Sequence, residues 1–351
     1  IPLLLLLMAL TTYGLFVLYS ASGQNMGAVV RQGRYFAVGY VILILGAQVS
    51  LQRYTRWAPW LYLAGVATLV AVMFFGVGAK GAQRWLQIGG FRFQPSEIMK
   101  LVVPIAVAWY LSDRILPPRF KHVLVSLALV VVPAGLILQQ PDLGTSLLIA
   151  ASGLFVLFMA GIGWRYIFGA MVLAVASAWP AWMFVFKDYQ KQRILTMLNP
   201  ESDKLGAGWN IIQSKTAIGS GGWEGKGWMT GTQSQLDFLP ESHTDFIIAV
   251  LAEEFGLRGV LVLLSLYLLI LLRGFWIGLH AQTSFGRMMA GSLTLTFFVY
   301  IFVNMGMVAG LLPVVGVPLP LVSAGGTSVV TLMAGFGILM AVSTEKRMVV
   351  H

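Results

Sequence analysis

Three short stretches of this chain hold carboxylates where little else is charged, and each borders a long apolar run. They are Phe93-Gln94-Pro95-Ser96-Glu97-Ile98-Met99-Lys100, Gln139-Gln140-Pro141-Asp142-Leu143-Gly144-Thr145-Ser146 and Leu239-Pro240-Glu241-Ser242-His243-Thr244-Asp245-Phe246-Ile247. A carboxylate so placed can take a proton from a hydroxyl, hold a cation or cap a helix. Asp245 carries the most weight, because it closes a long polar segment, residues 187–244, where the sequence turns apolar again. Alone, an Asp at a helix start is an N-cap or a first-turn acid. Company in a shared polar vestibule, with Glu97, Asp142 and several cations, is what would make it a base. His243 is a weaker candidate, since His-x-Asp is not a recognised metal spacing.

The other groups have competing readings. Pro95 suits a helix start, Ser96 can cap it, and Glu97 favours the positive end of the dipole. Glu97 and Lys100 then lie i,i+3 on one face, either as an interfacial ion pair or as an ionisable pair kept inside a membrane for use. Asp142 either caps the next helix after a proline turn or holds a cation. The polar segment carries Arg193 and Lys215, which suit neutralisation of a diphosphate, and then Gly219-Ser220-Gly221-Gly222-Trp223-Glu224-Gly225-Lys226-Gly227-Trp228. Gly-Lys here precedes Gly and Trp, not Ser or Thr, so it is no nucleotide loop. Glycine with tryptophan reads as a mobile flap at headgroup level, where Trp is at home. Leu312-Pro313-Val314-Val315-Gly316-Val317-Pro318-Leu319-Pro320 reads as a rigid structural loop.

The elements that position these residues must be membrane helices. Of the 351 residues, 58% are hydrophobic and 10% charged, against about 25% charged in a soluble domain; mean hydropathy is +0.82. Continuous apolar runs such as 123–138 and 260–272 exclude the alternating pattern of a barrel. The expected fold is an all-α integral membrane protein, one polytopic domain over 1–351. About ten spans are expected, near 3–21, 34–50, 59–77, 97–112, 123–139, 145–162, 166–186, 246–272, 289–310 and 326–343. One large extracytoplasmic loop, about 187–244, interrupts them. Pro104, Pro133 and Pro180 fall inside spans and are expected to kink them. The chain opens on Ile1 within an apolar run, so a short tail is expected ahead of it and a cleaved leader is not. A cytoplasmic start puts Arg53, Arg56, Arg114, Arg119, Lys121, Arg165, Arg273, Arg287, Lys346 and Arg347 inside, as the positive-inside rule asks. Arg31, Arg34, Lys80, Arg84 and Arg92 then fall outside. From Asp245 to Arg273 a continuous helix would run roughly 43 Å, too long for about 30 Å of hydrocarbon. Asp245–Arg258, with Glu253 and Glu254, is therefore expected to line a polar vestibule, and 260–272 to cross the lipid. The formal charge of +10 lies mostly at span ends, which suits anionic lipids or an anionic lipid-linked substrate rather than nucleic acid. There is no cysteine, which excludes disulfides and thiolate metal sites.

Phe-Gln-Pro-Ser-Glu at 93–97, Gln-Pro-Asp-Leu-Gly-Thr at 140–145, Leu-Pro-Glu-x-His-Thr-Asp-Phe at 239–246 and Leu-Pro-Leu-Val-Ser-x-Gly-Gly at 319–326 together resemble the SEDS family (shape, elongation, division and sporulation). The resemblance runs along nearly the whole chain, and Pro-Val-Val-Gly-Val-Pro at 313–318 is more similar to its elongation branch than to its division branch. Ala324 departs from the Tyr of many members. The resemblance implies polymerisation of lipid II at the outer face of the bacterial inner membrane, with inversion at the donor sugar, as a peptidoglycan glycosyltransferase. It implies that Asp245 is the catalytic carboxylate and that Glu97 and Lys100 match polar residues of the family's central cavity; Asp142 is expected to join them in binding substrate. Arg193, Lys215 or a divalent cation (Mg²⁺ or Mn²⁺) would hold the diphosphate, and no nucleotide is needed. A groove between spans, open to lipid, would take the polyprenyl chain. The implied partners are a class B penicillin-binding protein and other elongation-machinery membrane proteins. Two other classes stay open: a lipid II flippase, which would need polar residues through the whole membrane depth, and a non-catalytic scaffold, which would tolerate Asp245→Asn.

Overall fold

The computed structural model describes residues 1–79, 82–88, 91–203, 206–232 and 242–345. Leu239, Pro240 and Glu241 of the third motif, and the cations Lys80, Lys346 and Arg347, lie outside the described residues. A helix covers each of the ten expected spans: α1 (Pro2–Ala21), α2 (Met26–Gln48), α3 (Leu51–Phe75), α4 (Pro95–Ser112), α5 (Phe120–Gln139), α6 (Leu143–Met159), α7 (Trp164–Pro180), and then α10 (Ile247–Leu279), α11 (Ser284–Val308) and α12 (Gly326–Thr344). The polar segment contributes α8 (Asp188–Leu198) and α9 (Ala207–Gly221). Eight of the spans are long and apolar enough to cross a membrane by themselves. Of the other two, α6 has 17 residues, and α4 carries Glu97 and Lys100 near its start. The chain is a multi-pass membrane protein.

The chain divides into two compact units. One comprises Ile1–Gln32, Gly163–Leu269 and Tyr300–Gly325; the other comprises Gly33–Ile162, Ile270–Val299 and Gly326–His351.

In the second unit α4 is the central helix: Met99, Val103, Val107 and Leu111 are fully buried. Gly153 on α6 allows close approach there, since a methyl at that position would lie 2.3 Å from Val130 Cγ2. Hydroxyls satisfy carbonyls across the apolar contacts, Ser146 to Ala134 at 2.8 Å and Ser292 to Ser152 at 2.7 Å. The loop between α3 and α4 forms a small antiparallel sheet absent from the sequence expectation, with β1 (Val77–Ala79), β2 (Ala82–Ile88) and β3 (Phe91–Phe93) in the order β1-β2-β3.

In the first unit α10 is broken at Gly256, whose φ of +62° and ψ of −162° only glycine adopts readily. The break falls where the length argument asked for a change of role, but the expected vestibule is not what precedes it. Residues 247–254 are all buried, and Glu253 and Glu254 are 0% and 1% exposed. Glu253 Oε1 accepts from Lys226 Nζ at 2.7 Å and from Thr232 N and Oγ1 at 2.8 and 3.0 Å. Glu254 accepts from Ser20 Oγ. Glu253 is thus paired with a cation and Glu254 is held by a hydroxyl, because an ionised group at that depth must find partners.

The glycine-rich stretch is likewise not a flap. Its backbone pairs with the break: Lys226 N to Glu253 O at 2.9 Å, Gly227 N to Glu254 O at 3.0 Å, and Leu257 N to Gly222 O at 2.9 Å. The glycines are there because the two backbones nearly touch; a methyl on Gly225 would lie 2.2 Å from Glu254 O. Trp228 stacks on Phe16 with ring centroids 4.3 Å apart. By contrast, α7 and the π-helical turn Ala181–Val185 that follows Pro180 bury no residue, as an apolar helix facing lipid does.

Candidate active site

Asp245 lies in a turn, residues 242–246, just ahead of α10. Three successive carbonyls of this turn are bound from the 304–324 segment. Ala324 N donates to His243 O at 3.0 Å. Ser323 Oγ donates to Thr244 O. Asn304 Nδ2 donates to Asp245 O and to Val317 O, both at 2.8 Å. Ser242 Oγ adds a bond to Ala21 O at 3.0 Å, and Phe246 is buried behind the turn. The 304–324 segment is itself held: Tyr267 Oη donates to Pro320 O at 2.8 Å, and Gln32 bonds Ser323 O and Gly325 N, each at 3.2 Å. The 312–320 loop is tied down through its Val317 and Pro320 carbonyls.

The Asp245 side chain is partly exposed and reaches toward Gly316, where a methyl would lie 3.6 Å from Oδ2. With φ at +74°, Gly316 turns the chain without placing a side chain against the carboxylate. A rigid backbone with a partly exposed carboxylate is the arrangement a general base needs.

Lys215 and Arg193 belong to the same unit. On α9, Ser214 Oγ bonds Val308 O at 2.9 Å, while exposed Lys215 runs over Gly310, where a methyl would lie 2.4 Å from Cε. Lys215 thus rests on the segment that anchors Asp245. Arg193 lies on α8, with its guanidinium 5.8 Å from the Tyr189 ring centroid.

The remaining three site residues gather in the second unit. Gln94, not Ser96, is the N-cap of α4; Pro95 takes the first helical position and Ser96 is buried inside the first turn. Lys100 Nζ donates to Glu97 Oε1 at 2.6 Å, both side chains being almost fully buried, while Glu97 Oε2 is buried without a hydrogen-bond partner. Asp142 caps α6, its Oδ1 accepting from Thr145 N at 3.2 Å, and its Oδ2 accepts from Gln94 Nε2 at 3.2 Å. Arg84, brought in by β2, is 3.9 Å from Asp142 Oδ2 and binds the carbonyls of Gln140 and Pro141. Asp142 is thus occupied as a cap, as the first reading of the proline turn allowed. Among the described residues no three His, Asp or Glu side chains cluster to hold a metal.

Sequence reasoning missed Asn304, Ser323 and Gln32. Ser323 lies in the fourth motif, and Asn304 stands out as an amide in the middle of an apolar run; it is fully buried.

The family model for the FtsW, RodA and SpoVE cell-cycle proteins matches residues 2–348. The peptidoglycan glycosyltransferase MrdB of Escherichia coli K12 is 56% identical over 345 residues, covering 98% of this chain and 93% of that protein. The probable peptidoglycan glycosyltransferase FtsW of Trichlorobacter lovleyi is 37% identical over 97% of this chain and 92% of its own length. Among solved structures, a chain from a study of how a peptidoglycan synthase complex coordinates polymerization and crosslinking superposes with a TM-score of 0.85 at 31% identity, covering 97% and 96% of the two chains. The rod-shape-determining protein RodA of Thermus thermophilus gives 0.73 at 28% identity over 97% and 95%. The chain belongs to the FtsW/RodA/SpoVE family, which is the SEDS family that its four motifs resemble.

Proposed function

We propose that this chain is a peptidoglycan glycosyltransferase that polymerises lipid II into β-1,4-linked glycan during cell elongation. The observation that carries the reading is the identity to MrdB over 98% of the chain; the anchored turn beneath Asp245 agrees with it. In the proposed reaction the C4 hydroxyl of an acceptor sugar attacks the anomeric carbon of a donor held on polyprenyl diphosphate. The new C–O bond forms as the bond to diphosphate breaks, with inversion. A sugar hydroxyl is a poor nucleophile, and Asp245 is proposed to take its proton. Diphosphate leaves with the bonding pair and needs positive charge rather than a general acid; Lys215 and Arg193 are the proposed sources. Glu97, with one buried oxygen unfilled, and Lys100 are proposed to bind sugar or peptide groups of the substrate, since buried polar atoms are normally satisfied. A divalent cation, Mg²⁺ or Mn²⁺, is kept as a companion of the substrate's phosphates, the way Mg²⁺ is commonly bound.

The site is proposed to face the extracytoplasmic side of the bacterial inner membrane, the orientation that puts most loop cations inside. A class B penicillin-binding protein and other elongation-machinery membrane proteins are the proposed partners. The ion pair of buried Glu253 with Lys226 removes one acid that would have favoured a path across the membrane, as a flippase needs. The test uses wild type and Asp245→Asn, each alone and with the partner, given labelled lipid II with and without Mg²⁺ or Mn²⁺ and with transpeptidation blocked. Polymer from wild type only is the expected result. Equal polymer from both removes Asp245 from the mechanism, and none from either, with the partner present, points to the flippase or scaffold.

A further inference from the structure

α4 has a second end. Its 18 residues put Ser112 roughly 27 Å from the Glu97–Lys100 pair's end of the helix at 1.5 Å per residue, the thickness of a membrane's apolar core. Just beyond lies a cavity of about 300 Å³ lined by Asp113, Arg114, Arg119, Lys121 and His122, together with Ile115 and Pro117. A second cavity of about 360 Å³ shares Asp113 and adds Arg56, Trp109 and Ser112. Four cations thus face one carboxylate. Among the described residues none of the four is in an ion pair, the pairs being Arg84–Asp142, Lys100–Glu97, Lys226–Glu253 and Arg258–Glu224.

The backbone adds to this charge. α3 and α5 both start here, and neither has a side-chain cap or an acid in its first turn, so their positive dipole ends are unanswered. The wall is also built. Tyr110 Oη and His122 Nδ1 are 2.9 Å apart, tying the end of α4 to the start of α5, and the Arg114 guanidinium sits 5.4 Å from the Tyr110 ring centroid. Beside the cations are exposed apolar side chains: Ile115 is 83% exposed and Phe120 56%. Orienting the spans requires basic loops, but it does not require a cavity, a braced arginine or exposed apolar neighbours.

We propose that this pocket binds the phosphate of an anionic phospholipid, with Arg114, Arg119 and Lys121 around the headgroup, Arg56 behind it, and Ile115 and Phe120 against the acyl chains. A phosphate oxyanion could come from a lipid or from solution; the adjoining apolar surface favours the lipid, and basic pockets between spans at a membrane face bind such headgroups. The inference is independent of the catalytic reading.

The experiment is native mass spectrometry of the purified chain in neutral detergent, titrated with dioleoylphosphatidylglycerol or dioleoylphosphatidylcholine, with inorganic phosphate as competitor. Phosphatidylglycerol should bind more tightly than phosphatidylcholine, and each of Arg114→Gln, Arg119→Gln and Lys121→Gln should weaken it about fivefold. Asp113→Asn, which removes the opposing charge, should tighten it, and this gain cannot come from misfolding. Equal binding of the two lipids, wild-type affinity in the triple Gln variant, or weaker binding in Asp113→Asn would each overturn the proposal. Displacement of the lipid by millimolar inorganic phosphate would overturn the lipid as the source and leave a free anion.

Discussion

Replacing Asn304 by Asp keeps the shape of the side chain and removes both donors. The amide nitrogen spends its two hydrogens on Asp245 O and Val317 O, each at 2.8 Å, in a fully buried position. A buried carbonyl left without its donor costs about 1–3 kcal/mol, so losing two costs roughly 2–6 kcal/mol, and a new acid among carbonyls adds desolvation. In Asn304→Ala part of this returns, because Asn304 Oδ1, itself buried without a hydrogen-bond partner, disappears with the amide. The Asp variant is therefore the harsher of the two. The loss falls on a contact that ties the Asp245 carbonyl to the 304–324 segment, so it loosens the turn before it unfolds the bundle. A misplacement of about 1 Å in a reacting group can cost on the order of a hundredfold in rate. We expect kcat for lipid II polymerisation to fall about that much in Asn304→Asp, less in Asn304→Ala, with KM nearly unchanged because no substrate contact is removed. Initial rates of labelled polymer, read beside thermal melting in the same detergent, separate the two effects. A folded Asn304→Asp with kcat within about threefold of wild type, or with only KM altered, would refute the claim that the anchored turn matters to the proposed base.

Gly256→Ala and Gly225→Ala should each abolish folded protein, since methyls there would lie 2.4 Å from Gly225 N and 2.2 Å from Glu254 O. Gly219→Ala, with nothing within 4 Å of the added methyl, should be neutral or stabilising; size-exclusion profiles check all three. Lys100→Met strands buried Glu97 and should cost roughly 3–5 kcal/mol in stability, read as a lower melting temperature. Adding Glu97→Gln should restore the melting temperature but not polymerisation; recovery of both would make the pair structural only. Lys226→Met should destabilise by a smaller amount, because Lys226 is 29% exposed and Glu253 keeps Thr232, and Glu253→Gln in the same chain should offset it without affecting the polymerisation rate.

The membrane spans were legible because hydropathy over about 20 residues is a strong signal. Their ends were not. α2 begins at Met26 rather than near 34, and α10 runs to Leu279, because a helix already nucleated continues through polar residues such as Arg31 and Arg34 once it leaves the apolar layer. The β1–β3 sheet escaped notice because strands of three to seven residues leave too short a pattern to read. The anchoring of Asp245 was invisible for a different reason: Asn304 and Ser323 lie 59 and 78 positions away in the chain, and their role depends on which carbonyls the fold brings to them.

Glu253 and Glu97 show what sequence can and cannot say about a buried acid. Either one, in an apolar helix, announces a cost that must be met by a partner or by use. For Glu253 the answer is a lysine 27 residues earlier, delivered by a backbone pairing that only glycines permit, and Oε1 accepts three hydrogen bonds. For Glu97 the partner was visible at i,i+3, yet it satisfies only one oxygen. The reading from sequence therefore erred toward function at Glu253, where distant chain supplies the missing donors. At Glu97 the local pair is complete in sequence and incomplete in structure. That unfilled oxygen is a sharper argument for substrate contact than the motif itself, because it identifies an atom that a sugar hydroxyl or amide would satisfy.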